Sequence, residues 1–248
     1  MSKKHFLALP VTGDTFAEVR EKNRYYVDKT PYLKAVFSED EAVDDKSLID
    51  GTTVLLLTRP RRFGKTMLMN MFESFLNINY EKPGDTTIHQ SYFKDTKIFE
   101  EQKFCKKYMG QFPVISITLK DVLGDDFESA YLKLAEVVSA KANEFSFLKE
   151  SPYLNEMEKA KFNLLCDEIY LKKADKQAIS YVTSAIKSLS LMLYKHFNKQ
   201  VYILIDEYDV PLAKAQDNNY HKEMVELMSS FLGFLKDPKK ILKRIPLS

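Results

Sequence analysis

The chain is poor in the residues that build disulfides and zinc sites. It has two cysteines, Cys105 and Cys166, and four histidines among 248 residues. The cysteines lie far apart in sequence, and neither belongs to a Cys-x-x-Cys pair or to a cluster with histidine. We therefore predict two reduced thiols and no structural zinc. Such cysteine usage is typical of a cytoplasmic protein.

Long hydrophobic runs are also absent from the sequence. The apolar run at residues 6–11 is shorter than the core of a signal peptide and contains Pro10. No run approaches the roughly 20 apolar residues that a membrane-spanning helix needs. We expect a cytoplasmic protein that has no membrane partner.

Neither sign of charge is in clear excess. Lysine and arginine number 37 against 35 acidic residues, which gives a net charge of +2. Nucleic-acid-binding domains are typically far more basic, so the composition does not indicate direct nucleic-acid binding, and any basic surface must be local. Hydrophobic residues make up 45% of the chain, which is ample for a packed core, and 248 residues allow one large domain or two small ones.

What the sequence does contain is a short apolar strand followed by a basic turn and a helix. Residues 54–57 read Val-Leu-Leu-Leu, and Gly64, Lys65 and Thr66 open a segment with helical periodicity. Gly-Lys-Thr is the second half of a phosphate-binding loop, in which backbone N–H groups and a helix N-terminus face the phosphates. In such a loop Lys65 would bind the β- and γ-phosphates, and the Thr66 hydroxyl would ligate Mg²⁺.

The loop departs from the usual G-x-x-x-x-G-K-[S/T] pattern, because Arg59 replaces the first glycine. Pro60 fixes the backbone φ there, and Arg59, Arg61 and Arg62 add permanent positive charges that suit a polyphosphate. Gly-Lys-Thr alone is common by chance. A solvated basic turn between a strand and a helix is therefore an equally good interpretation of this stretch by itself.

A second apolar strand favours nucleotide binding. Residues 201–205 read Val-Tyr-Ile-Leu-Ile and are followed by Asp206 and Glu207. This is the Walker B pattern of P-loop ATPases, in which Asp206 would hold Mg²⁺ and Glu207 would polarise the attacking water as a general base. A solvated acidic turn would explain this stretch alone. It would not explain why acids follow one strand and Gly-Lys-Thr follows the other.

Residues 59–66, Arg-Pro-Arg-Arg-Phe-Gly-Lys-Thr, resemble the altered Walker A motif of the bacterial AAA-ATPase-like family. Tyr-Val-Asp-Lys-Thr at residues 26–30 is similar to an N-terminal element of that family, and residues 204–209 match its Walker B strand. The resemblance covers nearly the whole chain. It implies an ATP-binding P-loop domain, often followed by a restriction-endonuclease-like nuclease domain. It also implies that the helix opened by Asp28-Lys29-Thr30-Pro31 packs beside the nucleotide, although an N-terminal packing helix without chemistry is an equally good interpretation of that segment.

The motifs predict which residues hold the nucleotide and its metal. Lys65 and Glu207 are the expected catalytic residues, and Thr66 and Asp206 are the expected Mg²⁺ ligands. Arg61 or Arg62 could also serve as a finger toward the phosphate of a neighbouring subunit, which would imply a homo-oligomer, but simple loop electrostatics explains them as well. The residues expected to contact ATP are Pro60, Arg61, Arg62, Phe63, Gly64, Lys65, Thr66 and Met67.

The order of elements predicts an α/β protein with a three-layer P-loop NTPase fold. A mostly parallel sheet would carry helices on both faces, and residues 112–119 would form its second strand. Residues 125–148, 153–171 and 175–198 have the patterns of three helices. We interpret them as an insertion before the Walker B strand, since no Gly/Ser/Pro-rich linker flanks them, and we expect one domain over residues 1–248.

The basic end, residues 237–248, departs from the family pattern. We recognise there no further strand with a polar sensor residue, no small helical domain and no nuclease motif, so we expect a C-terminally incomplete domain. Besides an ATPase, two functions stay open: a non-hydrolysing, nucleotide-dependent interaction module with a partner protein, and a small-molecule P-loop kinase. The Asp206-Glu207 pair and the helical insertion argue against the kinase.

Overall fold

Helices form most of the structure, and the strands are short. The computed structural model describes residues 8–11, 13–37 and 64–233. Contacts between residues divide this part of the chain into a first unit, up to Val114, and a second unit, from Ile115 on. The single domain expected over residues 1–248 stays a prediction.

The described part of the first unit is built from short helices around one longer helix. α3 is the longest of them and begins at the predicted Gly-Lys-Thr. The helices are α1 (Phe16–Glu21), α2 (Pro31–Phe37), α3 (Lys65–Leu76), α4 (Thr87–Phe93), α5 (Lys97–Glu100) and α6 (Gln102–Tyr108).

Helix α1 begins one residue later than its sequence suggests. The pattern of residues 14–22 predicts a short helix capped by Asp14, but the N-cap is Thr15. The Thr15 hydroxyl accepts the N–H of Glu18 at 3.3 Å, and the Glu18 carboxylate accepts the N–H of Thr15 at 2.9 Å. This reciprocal arrangement satisfies two backbone donors, more than Asp14 alone would satisfy. Asp14 instead accepts the N–H of Val11 at 2.6 Å.

Aromatic rings form the core of the first unit. The ring of Phe75 in α3 lies 5.2 Å from Phe93 and 5.8 Å from Phe104, between ring centroids. Phe93 in turn lies 4.9 Å from Phe16 in α1. All four rings are buried. Since each buried phenylalanine contributes about 1.5–3 kcal/mol relative to an exposed one, these contacts anchor α3 firmly within the unit.

The second unit contains a two-stranded parallel sheet among its described residues. The strands of the sheet are β1 (Val114–Thr118), whose first residue still belongs to the first unit, and β2 (Tyr202–Asp206). The helices of the second unit are α7 (Phe127–Glu144), α8 (Glu156–Cys166), α9 (Glu168–Leu171), α10 (Lys176–Phe197), α11 (Val210–Asp217) and α12 (His221–Phe231). The predicted strand at 112–119 is therefore present as β1, and the helices predicted at 125–148 and 175–198 are present as α7 and α10. The single helix predicted at 153–171 is instead divided into α8 and α9, because Asp167 ends α8 and its side chain caps α9 by accepting the N–H of Tyr170 at 2.9 Å.

The helices between the strands begin at residues with capping side chains. Asp126 accepts the N–H of Ser129 at 2.8 Å at the start of α7. Asp175 accepts the N–H groups of Gln177 and Ala178 at 2.9 and 2.8 Å at the start of α10. Each such cap contributes about 1 kcal/mol to helix stability. None of the helices in residues 8–11, 13–37 and 64–233 is long and apolar enough to cross a membrane.

β2 is buried along its whole length, from Tyr202 to Asp206. A strand that is covered on both faces is expected to read as a continuous apolar run, as this one does until its last residue. Asp206 is therefore a buried carboxylate at the end of an otherwise apolar strand.

Both cysteines are free, as predicted. The Cys105 thiol donates a hydrogen bond of 3.1 Å to the carbonyl oxygen of Ile98, and burial raises its pKa to about 11. A thiol with so high a pKa is a poor nucleophile at neutral pH, so Cys105 is a packing residue of the first unit.

Candidate functional site

Part of the predicted phosphate-binding loop is described by the structure. The apolar strand predicted at residues 54–57 and the residues Pro60, Arg61, Arg62 and Phe63 lie outside the described residues. Gly64, Lys65, Thr66 and Met67 are described, and they form the N-cap and the first turn of α3.

Gly64 has the backbone conformation that a phosphate-binding loop requires. Its φ of 73° and ψ of 35° lie in the left-handed region, which glycine adopts at little cost. The N-cap residue Gly64 has no side chain that could accept a backbone N–H of the first turn of α3, and that turn contains no acidic residue. The N-terminus of α3 therefore keeps its partial positive charge, which favours an anion there. Lys65 is half-buried and Thr66 is exposed.

The 26–30 element lies against α3 through Tyr26. The Tyr26 hydroxyl accepts the N–H of Lys29 at 3.1 Å and donates to Sδ of Met71, in α3, at 3.3 Å. The ring of Phe16 packs edge-on against Tyr26, with centroids 5.2 Å apart. Burial raises the pKa of Tyr26 to about 12, so the hydroxyl keeps its proton and can make both contacts.

Asp28 and Thr30 fix the same element to the start of α5. One oxygen of Asp28 accepts the N–H and the hydroxyl of Thr30, at 2.9 and 2.7 Å, and the other accepts the N–H of Lys97 at 2.8 Å. The Thr30 hydroxyl oxygen accepts the N–H of Ile98 at 3.1 Å. Burial alone would raise the pKa of Asp28, but hydrogen bonds from Lys97 and Thr30 outweigh it and hold this pKa below its ordinary range.

Lys29, between these two anchors, reaches Gly64. A Cβ atom added to Gly64 would lie 2.9 Å from Nζ of Lys29. The first unit thus brings an ammonium group, a left-handed glycine and a helix N-terminus together. The sequence did not indicate a chemical role for Lys29. Its position inside the Tyr-Val-Asp-Lys-Thr element was the only sequence feature that pointed to this part of the chain.

The second unit holds the predicted Walker B carboxylates at the end of β2. Asp206 is only 5% exposed, and its Oδ1 accepts the N–H of Glu207 at 3.0 Å. The carbonyl oxygen of Asp206 accepts the N–H of Leu119 at 3.0 Å, so the carboxyl ends of β1 and β2 meet at one edge of the sheet. That edge is where ligands bind in open α/β sheets.

Glu207 has an unusual backbone conformation. Its φ is 55°, in the left-handed region, which costs a side-chain-bearing residue about 1–2 kcal/mol. Its carbonyl oxygen accepts the N–H of Val210 at 3.2 Å, which closes the turn into α11. Strained residues of this kind cluster at active sites, where the surrounding structure holds them in place.

The oxygen ligands available suit Mg²⁺ bound together with a nucleotide. Within the described part of the chain, no group of three or more His, Cys, Asp and Glu side chains could hold a metal ion. Magnesium bound with a nucleotide needs only one or two protein oxygens, because phosphates and waters supply the rest. The Thr66 hydroxyl, in the first unit, and the Asp206 carboxylate, in the second, are each a hard oxygen donor of the kind that Mg²⁺ prefers.

Comparison with protein-family models matches residues 10–248 to the AAA-ATPase-like family, which is described as a predicted AAA-ATPase. The matched range contains the 26–30 element, Gly-Lys-Thr and the Asp206-Glu207 pair. No curated protein and no solved structure matches the chain.

Proposed function

Because the chain belongs to the AAA-ATPase-like family of predicted AAA-ATPases, we propose that it binds Mg-ATP and hydrolyses it. The observation that carries the proposal is the left-handed Gly64 at the N-terminus of α3, followed directly by Lys65 and Thr66. A glycine in this conformation lets the chain approach a phosphate closely, and the helix N-terminus behind it attracts negative charge.

Each predicted residue has a defined role in this proposal. The Lys65 ammonium binds the β- and γ-phosphates, and residues 60–67 are the proposed nucleotide contacts, with Arg61 and Arg62 supplying positive charge. Glu207 accepts a proton from the attacking water at its carboxylate. Thr66 and Asp206 hold Mg²⁺, which, when bound, neutralises part of the phosphate charge.

The proposal extends to the fold and to the partners. We assign the chain a three-layer P-loop fold with a mostly parallel sheet, which is supported by β1 and β2 running parallel as neighbours. ATP binding or hydrolysis would then act on a partner protein or a nuclease domain. Arg61 or Arg62 acting on the phosphate of a second subunit would make the active form a homo-oligomer.

The test is a calorimetric titration of the whole chain with Mg-ATP, beside Lys65→Ala and Lys103→Ala. Lys103 is an exposed lysine of α6 and serves as the matched control. We expect the wild type and Lys103→Ala to bind, and Lys65→Ala to lose binding. No binding by the wild type would overturn the proposal.

Turnover is tested separately by phosphate release from Mg-ATP. We expect Glu207→Gln to keep nucleotide affinity and to lose turnover by about 10²–10⁴-fold, the usual contribution of a general base. Wild-type binding without turnover would instead identify a non-hydrolysing nucleotide-dependent module. Transfer of the γ-phosphate to a small-molecule acceptor would identify a kinase.

A further inference from the structure

Helices α8, α9 and α10 of the second unit carry more positive charge than their own acidic residues neutralise. Every acidic side chain of residues 156–197 is already engaged. Glu156, Glu158 and Glu168 form ion pairs with Lys159, Lys195 and Lys172, and Asp167 and Asp175 accept backbone N–H groups at the starts of α9 and α10. Among the described residues of this stretch, the lysines that form no ion pair with a carboxylate are Lys161, Lys173, Lys176 and Lys187.

Three of these lysines surround a pair of tyrosines. The rings of Tyr170, in α9, and Tyr181, in α10, meet edge-on with centroids 5.8 Å apart. Nζ of Lys173 lies over the Tyr170 ring, 5.3 Å from its centroid, and Nζ of Lys161 lies over the Tyr181 ring, 5.8 Å from its centroid. Lys187 lies close enough to Lys161 to repel it. We call these five residues the lysine–tyrosine cluster.

The charges of the cluster repel one another within the folded chain. Burial lowers the pKa of Lys161, and the neighbouring charge of Lys187 lowers it further. The contacts with the two rings orient Lys161 and Lys173, but a ring does not neutralise an ammonium group. A bound anion would remove the repulsion between these lysines, so the cluster is better suited to a ligand than to the stability of the fold.

The tyrosines indicate which kind of anion fits. Both are half-buried, and the Tyr170 hydroxyl is buried without a hydrogen-bond partner among the described residues. The part of Tyr170 that reaches solvent is therefore not its hydroxyl. Aromatic surface beside positive charge suits a nucleic acid strand, whose phosphates bind lysines and whose unpaired bases stack on rings. An acidic peptide would use the lysines and leave the rings without a role.

We propose that the lysine–tyrosine cluster binds single-stranded nucleic acid, with phosphates on Lys161, Lys173 and Lys187 and a base against a tyrosine ring. A strand is favoured over a duplex, because a duplex hides the faces of its bases. The net charge of +2 for the whole chain does not oppose this, since the unpaired lysines are concentrated locally. The inference goes beyond the proposed function and uses none of the residues assigned to ATP.

The first experiment measures fluorescence anisotropy of a labelled oligothymidylate of about 15 nucleotides, the upper range of site sizes for such surfaces. The whole chain is compared with Lys161→Gln/Lys173→Gln/Lys187→Gln. The control has the same change of net charge and replaces three exposed lysines elsewhere, as Lys82→Gln/Lys103→Gln/Lys222→Gln.

We expect the wild type and the control to bind with similar affinity, and the cluster variant to bind at least about 10-fold more weakly. Its slope of log K against log salt should be smaller by about 2, because each lost phosphate contact contributes about 0.7. A duplex of the same length should bind the wild type more weakly than the single strand. Excess Mg-ATP should not displace the oligonucleotide.

A second pair of variants tests the ring of Tyr170. Tyr170→Phe keeps the ring and removes only the unpartnered hydroxyl, so it should bind as the wild type does. Tyr170→Leu removes the ring and should weaken binding by about 5- to 100-fold, the range for the loss of one stacked base.

Melting temperatures without ligand separate binding from folding. The triple-glutamine cluster variant should melt within about 4 °C of the wild type, because glutamine keeps a long side chain at each position. Should it not fold, Lys187→Gln alone replaces one exposed lysine. This variant should still reduce the salt slope by about 0.7.

Four results would overturn the inference. One is a wild type that does not bind the oligonucleotide, and another is equal binding by the cluster variant and the control. A third is polyglutamate binding that is as tight and depends on the same lysines, which would assign the cluster to an acidic protein partner. The last is displacement of the oligonucleotide by Mg-ATP, which would place it in the nucleotide site. None of the four would decide whether the chain binds Mg-ATP, which the Lys65→Ala titration tests.

Discussion

The backbone N–H of Glu207 donates a hydrogen bond of 3.0 Å to the carboxylate of Asp206, the residue that precedes it. Asp206 is buried at the end of β2, and Glu207 has a φ of 55°. The hydrogen bond therefore helps to hold Glu207 in a conformation that its side chain disfavours. The two neighbouring carboxylates therefore differ in environment: the Asp206 carboxylate is buried and engaged with the backbone, whereas Glu207 is half-exposed.

Replacing Glu207 by glycine should separate stability from activity. Glycine adopts a positive φ without the strain of a Cβ atom, so Glu207→Gly should raise the free energy of unfolding by about 1 kcal/mol. The variant also lacks the proposed general base, so ATP turnover should fall by about 10²–10⁴-fold. Urea denaturation and phosphate release measure the two effects.

Asn198 provides the control for Glu207→Gly. It has a φ of 50° at the end of α10 and has no role in the proposed chemistry. Asn198→Gly should stabilise the chain by a smaller amount, because asparagine tolerates the left-handed region better than glutamate does, and turnover should not change. A Glu207→Gly variant that is both less stable and fully active would contradict the assignment of strain and of the general base.

A methyl group at Gly64 should damage the proposed site specifically. Gly64 has a φ of 73°, and the new Cβ would lie 2.9 Å from Nζ of Lys29. Gly64→Ala should therefore lose about 1–2 kcal/mol of stability and also displace Lys29. We expect Mg-ATP affinity, measured by calorimetric titration, to fall by at least about 10-fold.

Gly84→Ala is the matched control for that loss. Gly84 has a φ of 95°, but a Cβ there would meet no atom within 4 Å. It should lose a similar amount of stability through backbone strain alone and keep its affinity for Mg-ATP. Equal nucleotide affinities for Gly64→Ala and Gly84→Ala would show that the space beside Gly64 is irrelevant to binding.

Acid should weaken the first unit through Asp28. The pKa of Asp28 is lowered in the folded chain, so its ionised form stabilises the fold at pH values above its ordinary value of 3.8, and this contribution is lost as the pH falls through the lowered pKa. Asp28→Asn removes the ionised form. The variant should lose about 1 kcal/mol at pH 7, because Asp28 is only partly buried, and should show less change between about pH 4 and pH 2.

Urea denaturation at several pH values measures this effect, and Asp125→Asn is the control. The Asp125 side chain is fully exposed and lies 3.8 Å from Lys214. Its replacement should change stability little at any pH. If Asp28→Asn keeps the full pH dependence of the wild type, the hydrogen bonds from Thr30 and Lys97 do not control the acid response.

The sequence predicted the elements better than the contacts between them. The apolar run before Asp206 identified β2, because a strand buried on both faces reads as a continuous apolar run. Helical periodicity identified the helices before it, because each buries one face. Gly64 was placed at the start of a helix because Gly-Lys-Thr is the second half of a phosphate-binding loop motif.

The contact between Lys29 and Gly64 could not be predicted in the same way. It joins residues 35 positions apart through Tyr26, Thr30 and α3, and no local pattern encodes it. The conformation of Glu207 was equally hidden, because glutamate has no preference for a positive φ. The cap of α1 was misplaced by one residue, since Asp14 and Thr15 are both good caps and only the partner Glu18 decides between them.

Gly124, in the loop that follows β1, should be sensitive to any added side chain. A Cβ added to Gly124 would collide with the backbone nitrogen of Ala130, in α7, and would lie 2.8 Å from the carbonyl oxygen of Asp126. The carbonyl oxygen of Gly124 also accepts hydrogen bonds from Asn218 at 3.0 Å and from the Tyr220 hydroxyl at 2.8 Å. The loop is held on both sides, so it cannot move away from a new side chain.

Gly124→Ala should therefore lose at least about 2 kcal/mol of stability, as overpacking against fixed backbone does. Gly233→Ala is the control, since a Cβ there would meet no atom within 4 Å. Tyr220→Phe, which removes one of the two hydrogen bonds to Gly124, should lose about 1 kcal/mol. Thermal denaturation should find Gly124→Ala the least stable of the three, Tyr220→Phe intermediate and Gly233→Ala the most stable. If Gly124→Ala were as stable as Gly233→Ala, the loop would have to be free to shift, and the hydrogen bonds from Asn218 and Tyr220 would not be holding it.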